Sequence, residues 1–194
     1  MELYNDIMKR EQIDRDINYP DMYGQTKLFI AIICGNVEKV KYLLQQPNIK
    51  VDTCDDECDT PLHIICYSDS EEDITDNHIV CARLWLDALG STGGTNIYGY
   101  DAFYYACMHN HVKMVKLLIE YGVDLNVKYD DYETALECAY KQNNTEVIKA
   151  IKNHKKNKKL EVMSVMYHGR TVDNKPLLRM ARDDIGRLVA SYVC

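Results

Sequence analysis

The chain has 194 residues, of which 46% are hydrophobic and 27% charged, with a formal net charge of −7. That is the composition of a folded globular protein, and no stretch reaches the ~18 uninterrupted apolar residues of a spanning helix. The negative charge disfavours phosphate neutralisation by a folded basic face, so nucleic acid is not an expected ligand and proteins are.

The opening "MELYNDIMKREQ" is charged throughout, without the apolar core and cleavage site of a secretory signal, so an intracellular, cytoplasmic location is expected. Eight cysteines, Cys34, Cys54, Cys58, Cys66, Cys81, Cys107, Cys138 and Cys194, form no close-paired framework, and several fall on apolar helical faces. They read as small buried hydrophobes of a reducing compartment.

In chain order, residues 1–20 hold one helix's worth of pattern and then "DINYPD". Four segments of shared grammar follow: "YGQTKLFIAIICGNVEKVKYLL" from Tyr23, "ECDTPLHIIC" from Glu57, "YGYDAFYYACMHNHVKMVKLLIEYGVDLN" from Tyr98 and "DYETALECAYKQNNTEVIKAI" from Asp131. Each runs from a turn residue through a polar one to a short helix with Ala31, Ile65, Ala106 or Ala139 at the same place. A polar break and a second helix complete the unit. Thr26 to Thr60 is 34 positions and Asp101 to Thr134 is 33, close to a ~33-residue period. Thr60 to Asp101 is 41, with the surplus in the acidic "YSDSEEDITDNH", residues 67–78, expected as a solvated loop or a frayed helix end rather than core. In the helix after it, Trp85 takes a paired-leucine position and is expected to point inward.

"DTPLH" at Asp59–His63 and "LLIEYGVDLN" at Leu117–Asn126 carry a resemblance to the ankyrin repeat family, covering roughly residues 2–153. The resemblance implies an all-α solenoid of stacked helix–turn–helix units with β-turn tips. Residues 1–20 then become a capping half-repeat and 21–153 about four repeats. Departures from the family pattern are Lys27 for the helix-opening Pro, Asp101 for Thr, and Cys58 and Tyr132 at turn positions where Gly is usual. The family's histidine, here His63, is expected to bond the turn backbone.

Cys54, Cys58, His63 and Cys66 lack the paired C-x-x-C spacing of a convincing zinc site, so no metal is expected. No nucleophile elbow, phosphate-cradling loop or H-E-x-x-H pair is present, so neither catalysis nor a cofactor is expected. In an ankyrin stack the tips and inner helices line one concave face. On it the sequence places Tyr23, Tyr98, Tyr100, Tyr129 and Tyr132, with Asp55, Asp56, Glu57, Asp130 and Asp131. Tyrosine gives large contact area with few torsions to freeze, so these positions are the candidate protein-binding residues.

"KNHKKNKK" from Lys152 ends in a basic stretch, 154–159, that reads either as a solvated linker or as a nuclear-import or acidic-partner patch. The tail, 160–194, departs from the repeat grammar. Pro176 opens a helix-like stripe of Leu177, Met180, Ala181, Ile185, Leu188, Val189 and Tyr192. "PLLRMARDDIGRLV" resembles the BC box that opens a SOCS box, with Pro176, Leu177, Ala181 and Ile185 in its four places. The resemblance implies that Leu177, Ala181 and Ile185 contact elongin B/C and that the repeats recruit a substrate to a cullin ubiquitin ligase. The other reading of the tail is a helix capping the last repeat. Viral and parasite-encoded ankyrin proteins that imitate inhibitors of host transcription factors offer a second functional class, a decoy of the inhibitor-of-NF-κB kind.

Overall fold

The structure, a computed structural model, describes residues 16–70, 73–129 and 133–168, with side chains as far as 163. The described helices are α1 (Lys27–Ile33), α2 (Val37–Leu44), α3 (Pro61–Cys66), α4 (Asp76–Leu89), α5 (Ala102–Met108), α6 (Val112–Glu120), α7 (Ala135–Lys141) and α8 (Thr145–His168). They pair as four helix–turn–helix units. Among the described residues the only extended pairing is a single antiparallel bridge, Thr95 with Asp101.

One polar residue starts each inner helix. Thr26 accepts the Phe29 N–H at 3.2 Å, and Asp101 accepts that of Tyr104 at 2.8 Å. Thr134 and Glu137 form a reciprocal capping box, and in α3 an imidazole replaces the carboxylate: His63 Nδ1 accepts the Thr60 N–H at 3.0 Å. Each cap satisfies amide donors that the first helical turn leaves open. Because the caps recur at one register, the apolar positions behind them do too.

Leu28, Phe29, Ala31 and Ile32 of α1 are buried, as are Leu62, Ile65 and Cys66 of α3 and Ala102, Phe103, Ala106 and Cys107 of α5. In α7 the buried residues are Ala135, Cys138 and Ala139. Alternation of bulky and small side chains lets α1, α3, α5 and α7 pack in sequence as an inner column, while α2, α4 and α6 pack as an outer one. Trp85 of α4 is fully buried, and its Nε1–H donates to the Val51 carbonyl at 2.8 Å. Cys66, Cys81, Cys107 and Cys138 are buried free thiols, whereas Cys34, Cys54 and Cys58 are exposed. Desolvation pushes the four buried thiols up, which keeps them protonated and unreactive.

The turns inside three units have three residues each, Cys34–Asn36, His109–His111 and Gln142–Asn144, and their middle residues are left-handed: Gly35 at φ 63°, Asn110 at 62° and Asn143 at 59°. Glycine and asparagine are the residues that tolerate this region best. A side chain from each later unit then reaches back to the end of the preceding inner helix. Asn144 Nδ2 donates to the carbonyls of Cys107 and Met108, both at 2.8 Å, and His111 Nε2–H to that of Ser68 at 2.7 Å. The Cys107 and Met108 carbonyls are among those a helix end cannot satisfy internally, and Ser68 lies two residues past the end of α3.

The second unit has a longer connection, from Tyr67 to Thr75, anchored by the buried Ile74. Residues 67–78 were expected as a solvated loop or a frayed helix end rather than core; α4 begins at Asp76, and Ile74 is buried. That helix has 14 residues against 8 in α2 and 9 in α6, so part of the surplus lengthens it. Thr75 and His78 repeat the Thr60–His63 arrangement, with the Thr75 N–H on His78 Nδ1 at 3.1 Å. His78 Nε2–H then donates to the Ile33 carbonyl at 3.1 Å. The insertion thus carries its own version of the inter-unit bond.

The basic stretch 154–159, read from sequence as a linker, is helical: α8 continues through it to His168. Lysine is a good helix former and the stretch holds no Gly or Pro to stop it. The chain divides into two compact units at Ala150/Ile151, which falls within α8.

Candidate protein-binding surface

The tips begin with Asp21, Asp55 and Asn96. Their side-chain oxygens fold back on their own turns: Asp21 Oδ1 accepts the N–H groups of Tyr23 and Gln25 at 2.9 and 3.0 Å, and Asp55 Oδ1 those of Glu57 and Asp59 at 3.0 and 2.9 Å. Asn96 Oδ1 does the same for Tyr98 and Tyr100 at 3.1 and 3.2 Å. Each is a side chain imitating a backbone turn. The residue pairs that follow are Met22–Tyr23, Asp56–Glu57 and Ile97–Tyr98, in the same register.

Backbone bonds tie these tips together: the Asp56 N–H donates to the Tyr23 carbonyl at 3.2 Å and the Ile97 N–H to the Glu57 carbonyl at 3.0 Å. The approach is close. A Cβ on Gly24, whose φ is 81°, would lie 2.6 Å from Asp56 Oδ1, so only glycine fits there. Met22, Tyr23, Ile97 and Tyr98 are 82%, 62%, 59% and 52% exposed, a concentration of large apolar groups at two tips. Asp56 and Glu57 lie exposed between them, and among the described residues neither is in an ion pair.

Behind the tips lies a cluster of five tyrosines. Tyr67 and Tyr105 meet edge to face at 4.5 Å between ring centroids, Tyr100 and Tyr104 lie tilted at 4.5 Å, and Tyr100 and Tyr129 stack at 5.6 Å. Tyr104 touches both Tyr129, at 4.6 Å, and Tyr105, at 5.8 Å. Four of the five are half-buried, so packed rings still present area outward. Desolvation, first of all, pushes the hydroxyls of Tyr67, Tyr104 and Tyr129 up, and they stay protonated donors.

Tyr129 does not serve as an exposed contact, contrary to expectation. It is 6% exposed and its hydroxyl donates to Asp101 Oδ1 at 2.9 Å. The cause is positional: it stands where the other turns have Asp or Asn, and its ring turns inward instead of closing its own turn. Tyr23 and Tyr98 are well exposed, Asp56 and Glu57 flank the row's centre, and Tyr100 bridges tip and cluster. Asp130 and Tyr132 lie outside the described residues, as do Leu177, Ala181 and Ile185. Tyr67, Tyr104 and Tyr105 were missed by sequence reasoning, although the adjacent pair in "DAFYYAC", where α1 has Phe29–Ile30 and α3 His63–Ile64, was a legible signal.

A polar network braces the cluster. Asp59, 2% exposed, accepts the Tyr67 hydroxyl at 2.7 Å and Asn96 Nδ2 at 2.9 Å. Full hydrogen bonding is what makes such burial tolerable. His63 is buried beside it. Nδ1 accepts from Thr60, Nε2–H donates to the Tyr100 carbonyl at 3.0 Å, and both ring nitrogens are thereby occupied by the fold. Among the described residues no group of three or more His, Cys, Asp or Glu is placed to hold a metal ion, and no helix is long and apolar enough to cross a membrane. A cleft of about 160 Å³ beside the insertion, lined in part by Ile64, Ile74 and His78, is smaller than the roughly 300–1,000 Å³ of small-molecule sites.

Comparison with known proteins agrees with the stack. The family description "Ankyrin repeats (3 copies)" matches residues 73–162 and "Ankyrin repeat" matches residues 23–53. Monkeypox virus "Ankyrin repeat domain-containing protein OPG023" is 29% identical over 144 residues, 70% of this chain and 20% of its own length. Fowlpox virus "Putative ankyrin repeat protein FPV244" is 28% identical over 103 residues, 53% of this chain and 15% of its own. A "Putative ankyrin repeat protein" of Rickettsia bellii is 39% identical over 51 residues, 26% of this chain and 53% of its own. The chain therefore spans a fifth or less of the two poxviral proteins it resembles. Ankyrin repeats generally serve as non-catalytic modules for binding other proteins. With four capped helix pairs in register and two matched family profiles, the chain carries ankyrin repeats and its fold is an all-α ankyrin-repeat solenoid.

Proposed function

We propose that this chain is a non-catalytic module that captures a protein of a host cell and acts as a decoy or inhibitor in host signalling. The observation that carries the reading is the exposed tip row, Met22–Tyr23, Asp56–Glu57 and Ile97–Tyr98, fixed by backbone bonds and backed by packed tyrosines. Rigid aromatic anchors bind with little entropy left to lose. Similarity to two poxviral ankyrin proteins supports a host target, and the proposed site of action is the cytoplasm with access to the nucleus.

The test is quantitative proximity labelling in host cells with the full chain and with a Tyr23→Ser/Tyr98→Ser double variant. The expected result is a partner lost at least tenfold in the variant. A partner set unchanged by the double substitution would overturn the tip-row assignment.

The spacing of Pro176, Leu177, Ala181 and Ile185 favours a second reading, in which the captured protein is handed to an elongin B/C–cullin ubiquitin ligase. A helix laying such a stripe into a groove is a common recognition mode. Purified elongin B/C should be retained by the full chain and not by Leu177→Ala; no retention by the wild type rejects the adaptor role.

A further inference from the structure

We propose that the tip row takes an extended segment of its partner that carries one basic side chain between two apolar ones, about five or six residues apart. The inference rests on the protein-binding reading above and names the chemistry of the partner.

Three observations combine. First, equivalent positions on successive tips alternate in character: Met22–Tyr23 and Ile97–Tyr98 are apolar and exposed, whereas Asp56–Glu57 between them is anionic and in no ion pair among the described residues. An exposed carboxylate pair at the centre of an apolar row has its complement in a cation flanked by apolar groups. Second, the tips cannot rearrange to hide the apolar pairs. Asp56 N–H is bonded to Tyr23 and Ile97 N–H to Glu57, and the Gly24 contact locks the first tip against the second. The row is presented as built. Third, the spacing suits an extended chain. Packed helices lie roughly 8–10 Å apart, so Tyr23 and Tyr98, two units apart, are separated by roughly 16–20 Å. A polyproline-II segment, with three residues per turn and about 3.1 Å per residue, crosses that in five or six residues and sets its first, fourth and seventh side chains on one face, the fourth over Asp56 and Glu57.

The experiment uses the full chain and three fluorescein-labelled heptapeptides read by anisotropy: Leu-Ser-Thr-Arg-Thr-Ser-Leu, the same peptide with Glu for Arg, and the same peptide with Ser for both Leu. The expected order is binding by the first, with at least tenfold weaker binding by each of the others and loss of the charge preference at 0.5 M NaCl. An Asp56→Lys/Glu57→Lys variant should reverse the preference between the Arg and Glu peptides; circular dichroism melts confirm that it remains folded. Equal binding of the Arg and Glu peptides, no binding of the first peptide, or an Arg preference unchanged by the double variant overturns the proposal. So does self-association in ultracentrifugation that Tyr98→Ser abolishes, since a second copy would then occupy the row. If the partner found by proximity labelling is lost with Tyr23→Ser/Tyr98→Ser yet kept with Asp56→Lys/Glu57→Lys, protein capture stands and the basic centre falls.

Discussion

Cys58 is held at φ 59°, in the left-handed region where Gly24 and Gly99 stand in the equivalent turns. An L side chain there costs roughly 1–2 kcal/mol, part of which glycine returns as unfolded-chain entropy. Cys58→Gly is therefore expected to stabilise the protein by about 0.5–1 kcal/mol, seen as a rise in denaturation midpoint. His63 behaves differently with pH. Burial holds its pKa below the ordinary imidazole value, against the raising pull of the Tyr100 carbonyl and Asp59. Its bonds agree, because Nδ1 must accept from Thr60. The unfolded chain thus binds a proton that the fold refuses. The contribution of His63 is complete above about pH 6.5 and is lost as pH falls from there toward its folded pKa. Chemical denaturation at pH 7.5 and 5.5 should show a smaller fall in stability for His63→Gln than for the wild type.

At the scale of elements, the bonds between units explain how an insertion is absorbed. His78 does for the second unit what His111 and Asn144 do for the third and fourth, from a helix start rather than a three-residue turn. His78→Ala removes that bond and the Thr75 cap partner together, so a loss of about 1–2 kcal/mol is expected in the denaturation midpoint. The equivalence was legible in advance as a recurring T-x-x-H, "TPLH" and then "TDNH", although only the first belongs to the family pattern. Acidic side chains show the same internal logic. Asp59 pairs with Tyr67 eight residues on and with Asn96 of the next tip; Glu133, at the corresponding place, pairs with Lys141 eight residues on. In the first three units the chain turns back after the outer helix, whereas α8 runs on to His168.

For the whole molecule, period and caps made the architecture legible, because polar starts such as Thr26, Thr60 and Thr134 impose one register on all that follows. The sites were less so. Tyr23 lies two places into its tip and is exposed, whereas Tyr129 stands at the position that Asp21, Asp55 and Asn96 fill in the other turns, and the inward turn of its ring onto Asp101 is a three-dimensional consequence that no periodicity encodes. The helical course of 154–159 was hidden by its charge, which says that a segment is solvated and nothing about its backbone. Thiol chemistry gives a global measure of the same core: Cys34, Cys54 and Cys58 should be alkylated at once, and Cys66, Cys81, Cys107 and Cys138 only at the rate of unfolding, as followed by mass spectrometry. Fast labelling of the second group would show that the units open independently. The bonds made by His78, His111 and Asn144 argue for a direction as well, since in each the donor belongs to the later unit and the acceptor to the earlier. A unit without its successor keeps such a carbonyl open to water, so a chain shortened by its last unit exposes the Cys107 and Met108 carbonyls that Asn144 otherwise covers.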